Sequence, residues 1–389
     1  MSEETTLEQP TRIVYDSLAG RYSDSPRALY EWLRSRVAAE HVWLADPQHR
    51  AGFPADVRTV RHGSAESIAA LEAADLVVGN THIDLDWTKT PSATYVQTWH
   101  GTPLKTVHND VLWAPPGRLA ELDRDIVRWD YLLSPNVVST ARLRQAFGYT
   151  GKVLEYGYPR NDLLLSPGRA AVRARVRASL GLCEDETAVL YAPTYRDQQY
   201  FDPAHSTIEL ALNAADVARQ LGPRFRLLPR LHYFVTSRGV PQTGPGVVDV
   251  SYYPDIAELH LAADVLVTDY SSTMFDFAVT GKPLLFYTYD LAAYRDHNRG
   301  FYFDLEPVAP GPVVSTQADL VAALRDLPAL THAYADRYRT FRQDFCALED
   351  GSATERLGRF LLQRVRGLAP PPSSFPRVQP GPRRTCAGR

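Results

Sequence analysis

DVLVTDYSSTMFDFAVTGKPLLFYTY, residues 264–289, carries the plan of the fold in one segment. DVLVT is apolar and β-branched, so it reads as a buried strand. Ser271 or Ser272 then caps a short helix over 273–279, and PLLFYTY (283–289) is a second buried strand beyond a Gly-Lys-Pro break. Strand, helix, strand is the unit of a parallel sheet. Outward from it the alternation continues, with strands predicted at TAVLYAPT (187–194), FRLLPRL (225–231) and VVDVS (247–251). An earlier series reads TRIVYDS (11–17), HVWLAD (41–46), DLVVGN (75–80), TYVQTWH (94–100), DYLLSP (130–135) and KVLEYG (152–157). SPRALYEWLRSRVAAE (25–40) is an amphipathic helix with Ser25 and Pro26 at its cap and first turn, and the basic PGRAAVRARVRASLGL (167–182) is a helix joining two halves. The expected fold is therefore α/β, two Rossmann-like domains facing across a central cleft. Residues 1–165 form an acceptor-side domain and 166–366 a donor-binding domain. A proline-rich tail at 367–389 is too poor in core residues to fold.

The length of 389 residues suits two cores, and a net charge of −3 gives no support for nucleic acid as a partner. Cys183, Cys346 and Cys386 are odd in number and far apart, which supports neither a zinc site nor a disulfide framework. The acidic start MSEETTLEQP lacks a basic-then-apolar signal, and no apolar run approaches the roughly 18 residues of a spanning helix. These features predict a cytoplasmic chain, at most peripheral to the inner face of a membrane.

Open parallel sheets bind ligands beyond the carboxyl ends of their strands, so a motif placed just after a strand is a candidate. QTWHGTPLK (97–105) meets that test. It delivers His100 to the rim, where an imidazole of ordinary pKa about 6.5 can act as a general base. Gly101 allows a tight turn, Pro103 suits the start of a helix whose amides hold phosphate, and Lys105 adds charge. A core histidine bonded to a carbonyl beside Trp99 fits the same tripeptide. TDYSSTMFDFA (268–278) offers a second helix start at Ser271 and Ser272, with Asp276 in reach of a ligand hydroxyl; a solvated aspartate and a plain serine cap fit equally. In RLHYF (230–234), Arg230 and His232 alternate and point to one side, as a diphosphate leaving group needs. YAPTYRD (191–197) and YGYPRND (156–162) contribute Thr194, Arg196 and Arg160. GxxxxGK[ST], GxGxxG after the first strand and GxSxG are all missing, against P-loop, dinucleotide and hydrolase chemistry. Asp84 and Asp86 in IDLDW (83–87) match the Asp-x-Asp of metal-dependent sugar transferases, but turn chemistry explains them as well.

Taken in order, YSDSPRALYEWL (22–33), TWHGTPLKT (98–106), WDYLLSPN (129–136), GYPRND (157–162), YAPTYRD, RLHYF and the run 255–305 resemble the CDP-glycerol glycerophosphotransferase family, the teichoic acid primases and polymerases. The resemblance implies a GT-B architecture and transfer of glycerol phosphate, or a related polyol phosphate, from CDP-glycerol or a related CDP-polyol. The acceptor it implies is a hydroxyl on a lipid-linked polyol phosphate or glycan, with CMP released and neither cofactor nor metal required. It implies that His100 and His232 are the family's two functional histidines. It also implies donor contacts at Gly101, Thr102, Pro103, Leu104, Arg160, Thr194, Arg196, Arg230, Ser271, Ser272 and Asp276. The longer polymerases carry an extra N-terminal region, whereas here the first strand comes almost at once, so single transfer and polymerisation both stay open. A sugar transferase on the same fold, or a nucleotide-binding scaffold, are the competing readings; retention of both histidines speaks against the scaffold.

Overall fold

The structure, a computed structural model, describes residues 10–196, 210–232 and 242–365. The tail expected to be disordered lies outside the described residues, as do Tyr233 and Phe234 of RLHYF. Seven strands make the first sheet: β1 Arg12–Asp16, β2 Glu40–Ala45, β3 Thr59–Arg61, β4 Leu76–Gly79, β5 Thr94–Gln97, β6 Tyr131–Ser134 and β7 Lys152–Glu155. Their order is β3-β2-β1-β4-β5-β6-β7, with every pairing parallel. The second sheet, also parallel, runs β12-β11-β10-β8-β9 from β8 Thr187–Ala192, β9 Phe225–Pro229, β10 Val265–Thr268, β11 Leu284–Tyr287 and β12 Val313–Val314. Helices cover both faces, so central strands such as LVVG, VLVT and LLFY are buried along their whole length. That is why they read as unbroken apolar runs rather than alternating ones.

Differences from the sequence expectation have local causes. β3 and β12 are three and two residues long, too short to leave a pattern. VVDVS is not a strand: only Val247 bridges Leu227, after which Asp249 accepts the Ser251 N–H at 2.9 Å and turns the chain. Helix α1 covers Asp24–Leu33 and ends seven residues before the expected Glu40, and its N-cap is Ser23 rather than Ser25. The joining helix is α2, Arg169–Ser179.

The two domains are joined by a broad seam. Leu104, carried by the loop after β5, is 1% exposed within the hydrophobic cluster of the second domain. Asn136 donates to the Phe345 carbonyl at 2.9 Å. Arg27 of α1 reaches Asp255 (3.2 Å) and Glu258 (3.1 Å) at the start of α3, Ile256–Ala262. Arg27 is thus held in the seam, while Arg34, just past α1, pairs with Asp56 at the surface. The division expected at 165/166 falls just before α2. The last helix described, α5 (Ala353–Arg364), packs Leu357 and Leu361 into the core of the first domain. The helix following β10, α4, spans Thr273–Ala278.

Candidate active site

Each sheet has one point where the strand order reverses, between β1 and β4 in the first and between β8 and β10 in the second. Such switch points open a crevice beyond the carboxyl ends of the strands. At the first, Ser17 and Asn80 end β1 and β4 and meet at 3.2 Å. The Asn80 carbonyl takes a hydrogen bond from His100 Nδ1 at 2.6 Å. A carbonyl only accepts, so Nδ1 carries the proton and Nε2 keeps its lone pair, the tautomer of a base. The histidine is half-buried, and its ring lies 4.1 Å from that of Trp99. Burial holds its pKa below the ordinary 6.5 against the pull of the Asn80 bond and of Asp24, so it is neutral at neutral pH.

Trp99 stands at φ +55°, a left-handed conformation costly for an aromatic residue. Gln97 Oε1 accepts its N–H at 2.9 Å, and the Phe147 ring backs its indole at 4.7 Å. The strained turn thus belongs to Trp99, not Gly101, whose φ is not positive. Glycine is needed at 101 for another reason: a Cβ there would lie 2.3 Å from Ser272 Oγ and 2.6 Å from Ser272 Cβ. No helix begins at Pro103; residues 101–104 run without helical structure and Lys105 bridges Phe301 in antiparallel fashion. The phosphate-binding helix start expected there is absent because the segment is pinned across the seam, with Gly101, Thr102, Pro103 and Leu104 all buried.

On the donor side, Asp269 after β10 accepts from Thr194 N at 2.8 Å and pairs with Arg196 at 2.9 Å, tying the YAPT and TDYSS loops together. Arg196 also grips Asp290 at 2.7 Å and lies over the rings of Tyr289 and Tyr294. It is a brace between loops, with little left for a ligand. Thr194 Oγ1, by contrast, is buried at the switch point with no hydrogen-bond partner among the described residues. Ser271 Oγ meets Thr273 N at 3.4 Å, while the Ser272 side chain makes no cap bond and instead abuts Gly101. Arg230 is steadied by the carbonyls of Val250 (3.1 Å) and Tyr253 (2.6 Å).

His232 packs its ring 4.4 Å from Tyr195. Its pKa falls well below 6.5, through burial first and then the positive charges of Lys105, Arg21 and Arg230, to which His100 would add when protonated. Burial and Arg21 also pull Arg230 down, to about 10. The two histidines, the two arginines and the lysine therefore share one electropositive crevice between the switch points, where added negative charge is welcome.

Arg160 and Asp276 are brought together, but with each other: Arg160 Nη2 bonds Asp276 Oδ2 at 2.7 Å, and Asn161 takes the other oxygen at 2.9 Å. Asp276 thus bridges the domains, each of its carboxylate oxygens accepting a hydrogen bond from the first domain. Asp84 is paired with Arg118 at the surface. Sequence reasoning missed Arg21, Asp24, Asn80 and Tyr158. Arg21 and Asn80 follow the first and fourth strands closely, and the rule that picked out His100 applies to them equally.

Two Rossmann-like domains that oppose their carboxyl rims across a charged crevice define the GT-B-like class of transferases. The model of the CDP-glycerol:poly(glycerophosphate) glycerophosphotransferase family matches residues 3–363, and this chain belongs to that family. It is 36% identical over 362 residues to the teichoic acid glycerol-phosphate transferase of Staphylococcus aureus, covering 90% of this chain and 92% of that one. It is 33% identical over 370 residues, 92% of its own length, to a teichoic acid poly(glycerol phosphate) polymerase of Staphylococcus epidermidis. The chain spans 51% of that polymerase and 48% of its Bacillus subtilis counterpart. The solved wall teichoic acid polymerase TagF superposes with a TM-score of 0.82 at 33% identity, over 92% of this chain and 90% of that one. A histidine-to-asparagine variant of TagF, soaked with CDPG, superposes equally, at a TM-score of 0.82.

Proposed function

We propose that this chain transfers glycerol phosphate, or a related polyol phosphate, from CDP-glycerol to a hydroxyl of a teichoic-acid-like or capsule-like acceptor. The observation that carries the reading is the pairing of an oriented, neutral base with a cationic crevice: His100 on Asn80, beside His232 and the charges of Arg21, Lys105 and Arg230. In the step proposed, the acceptor hydroxyl attacks the phosphorus that bears glycerol, and His100 Nε2 takes its proton. The bond from that phosphorus to the CMP phosphate oxygen breaks, and CMP leaves with the electron pair. Charge gathering on the departing phosphate is met by Arg230, His232 and the hydroxyls of Thr194, Ser271 and Ser272, held in place before the reaction begins. A bound diphosphate raises the proton affinity of His232 from its lowered value.

We read the acceptor as lipid-linked and the protein as cytoplasmic, working at the inner face of the membrane. Among the described residues, no helix is long and apolar enough to cross one. The test is CMP release from CDP-glycerol with a lipid-linked or soluble acceptor analogue, comparing wild type with His100→Ala. Acceptor-dependent CMP that collapses in the variant supports the reaction and the base. CMP release that survives the substitution unchanged removes His100 from the chemistry, and turnover only with a nucleoside-diphosphate sugar replaces the reaction with glycosyl transfer.

A further inference from the structure

A cluster of charges that the reaction does not use lies buried behind the crevice. Arg160, with a side chain only 5% exposed, bonds Asp24 through Nη1 at 2.7 Å and Asp276 through Nη2 at 2.7 Å. Asp24 belongs to the first domain and Asp276 to the second, so one guanidinium spans the seam. Both partners sit where small movements matter. Asp276 is four residues beyond Ser272, in the six-residue helix α4. Asp24 opens α1 at φ +63°, a strained position for a non-glycine residue, held by its bonds to Arg160 and the Ser25 N–H.

Two routes lead from this bridge to His100. In the first, the Asn80 side chain lies beside Asp24 and favours its ionised carboxylate, and the Asn80 carbonyl holds His100 Nδ1. In the second, Arg160 lies 4.6 Å over the Tyr158 ring, and the Tyr158 hydroxyl accepts the Gly101 N–H at 3.2 Å, one residue past the histidine. A group with both terminal nitrogens occupied and almost no exposed surface is badly placed to grip a diphosphate. It is well placed to fix the distance between two loops.

We propose that Arg160, with Asp24 and Asp276, is a positioning device that sets the base of the first domain against the donor loop Ser271–Ser272 of the second. Arginine is required because only a planar fork can reach two carboxylates at once; a lysine ammonium is a single point on a flexible stem. The proposal rests on the functional reading above for its kinetic arm, but its structural arm does not.

The kinetic arm uses Arg160→Lys, Asp24→Asn, Asp276→Asn and the Asp24→Asn/Asp276→Asn pair in CMP release. Loss of about 1 Å of alignment costs on the order of 10²-fold in rate. Arg160→Lys is therefore expected to lower kcat by about 30- to 100-fold, with KM for the donor changed by less than about threefold. The double variant is expected to be no slower than the slower single one, as for links in one chain. Asp24→Asn also removes a negative charge that supports protonated His100, so the acid limb of kcat/KM moves to lower pH. A rise in donor KM with kcat intact would make Arg160 a donor ligand and overturn the proposal, as would wild-type kinetics in Arg160→Lys. The structural arm is amide hydrogen exchange across residues 98–104 in the full-length protein without donor. Faster exchange there in Arg160→Lys, with Tm close to wild type, supports the bridge even if CDP-glycerol proves to be the wrong donor. Unchanged exchange refutes it.

Discussion

Placing a single methyl group at Gly101 tests how closely the two domains must meet. Gly101→Ala puts a Cβ 2.3 Å from Ser272 Oγ and 2.6 Å from Ser272 Cβ. Rotating Ser272 about χ1 removes the first clash and leaves the second, because Cβ does not move with χ1. Carbon atoms in contact sit about 3.5–4.0 Å apart, so the backbones must part by roughly 1 Å. The backbone of residue 101 itself accepts alanine, since its φ is not positive, and the penalty is steric alone. Overpacking of this kind costs about 1–3 kcal/mol of stability. The larger effect is on rate: a 1 Å error between His100, one residue away, and the donor loop predicts about a 10²-fold fall in CMP release. Ser272→Gly removes both offending atoms, so the pair Gly101→Ala/Ser272→Gly should recover to the rate of Ser272→Gly alone. The assay is acceptor-dependent CMP release alongside thermal unfolding of all four proteins. Wild-type kcat in Gly101→Ala, or a double variant as slow as Gly101→Ala, would show that this contact does not set the geometry of the reaction.

Two further expectations concern pH. His100 must be neutral to accept a proton and its pKa lies below 6.5 through burial, so kcat/KM should hold down to pH 6.5 and fall only below it; a half-maximal point above pH 7 would exclude it as the base. Glu349 is a buried carboxyl whose pKa is pushed up to about 8, chiefly by burial and then by Asp276. The folded protein therefore holds a proton there that the unfolded chain gives up from about pH 4.5, and its contribution to stability is lost as pH rises towards 8. One proton is worth at most about 1.4 kcal/mol per pH unit, or roughly 2 kcal/mol between pH 6.5 and 8. Lowered histidines such as His41 and His82 complicate only the range below 6.5. Glu349→Gln should flatten this alkaline decline in denaturant unfolding, and an unchanged slope would mean that the carboxyl is ionised in the folded protein.

The fold was legible because both sheets are parallel and covered on both faces, which turns strands such as LVVG and LLFY into uninterrupted apolar runs. What could not be read was contact across the seam. His100 was found by its place after a strand, whereas nothing in the local sequence marked Asp24 or Tyr158, whose partners are Arg160 and the Gly101 N–H. Arg160, Asp276 and Leu104 were expected to contact a donor; in the structure Arg160 and Asp276 meet each other and Leu104 packs into the second domain's core. Sequence spacing carries the local geometry of one loop, and nothing in it distinguishes an arginine that meets a phosphate from one that meets a carboxylate 116 residues away. The same holds for glycine 101: its motif suggests a turn, and only the position of Ser272 reveals a close approach.

The placement of these side chains bears on how the crevice works. Leu104, rooted in the second domain's core, lies four residues past His100; Asn136, just past β6, donates to the Phe345 carbonyl, and Tyr158, past β7, takes the Gly101 N–H. Thr106 N is held by the Gly300 carbonyl at 3.1 Å, and Tyr302 N by the Leu104 carbonyl at 2.8 Å. His100, on a loop fastened at several points to the opposite domain, cannot follow its own domain through a wide hinge motion without breaking buried hydrogen bonds, each worth about 1 kcal/mol net and more if left unsatisfied. The cationic crevice then has to be charged and open to the donor in the closed arrangement. Burial first, and then the neighbouring positive charges, hold His232 and Arg230 at lowered proton affinity, so under the proposed function it is the diphosphate, not domain closure, that neutralises them.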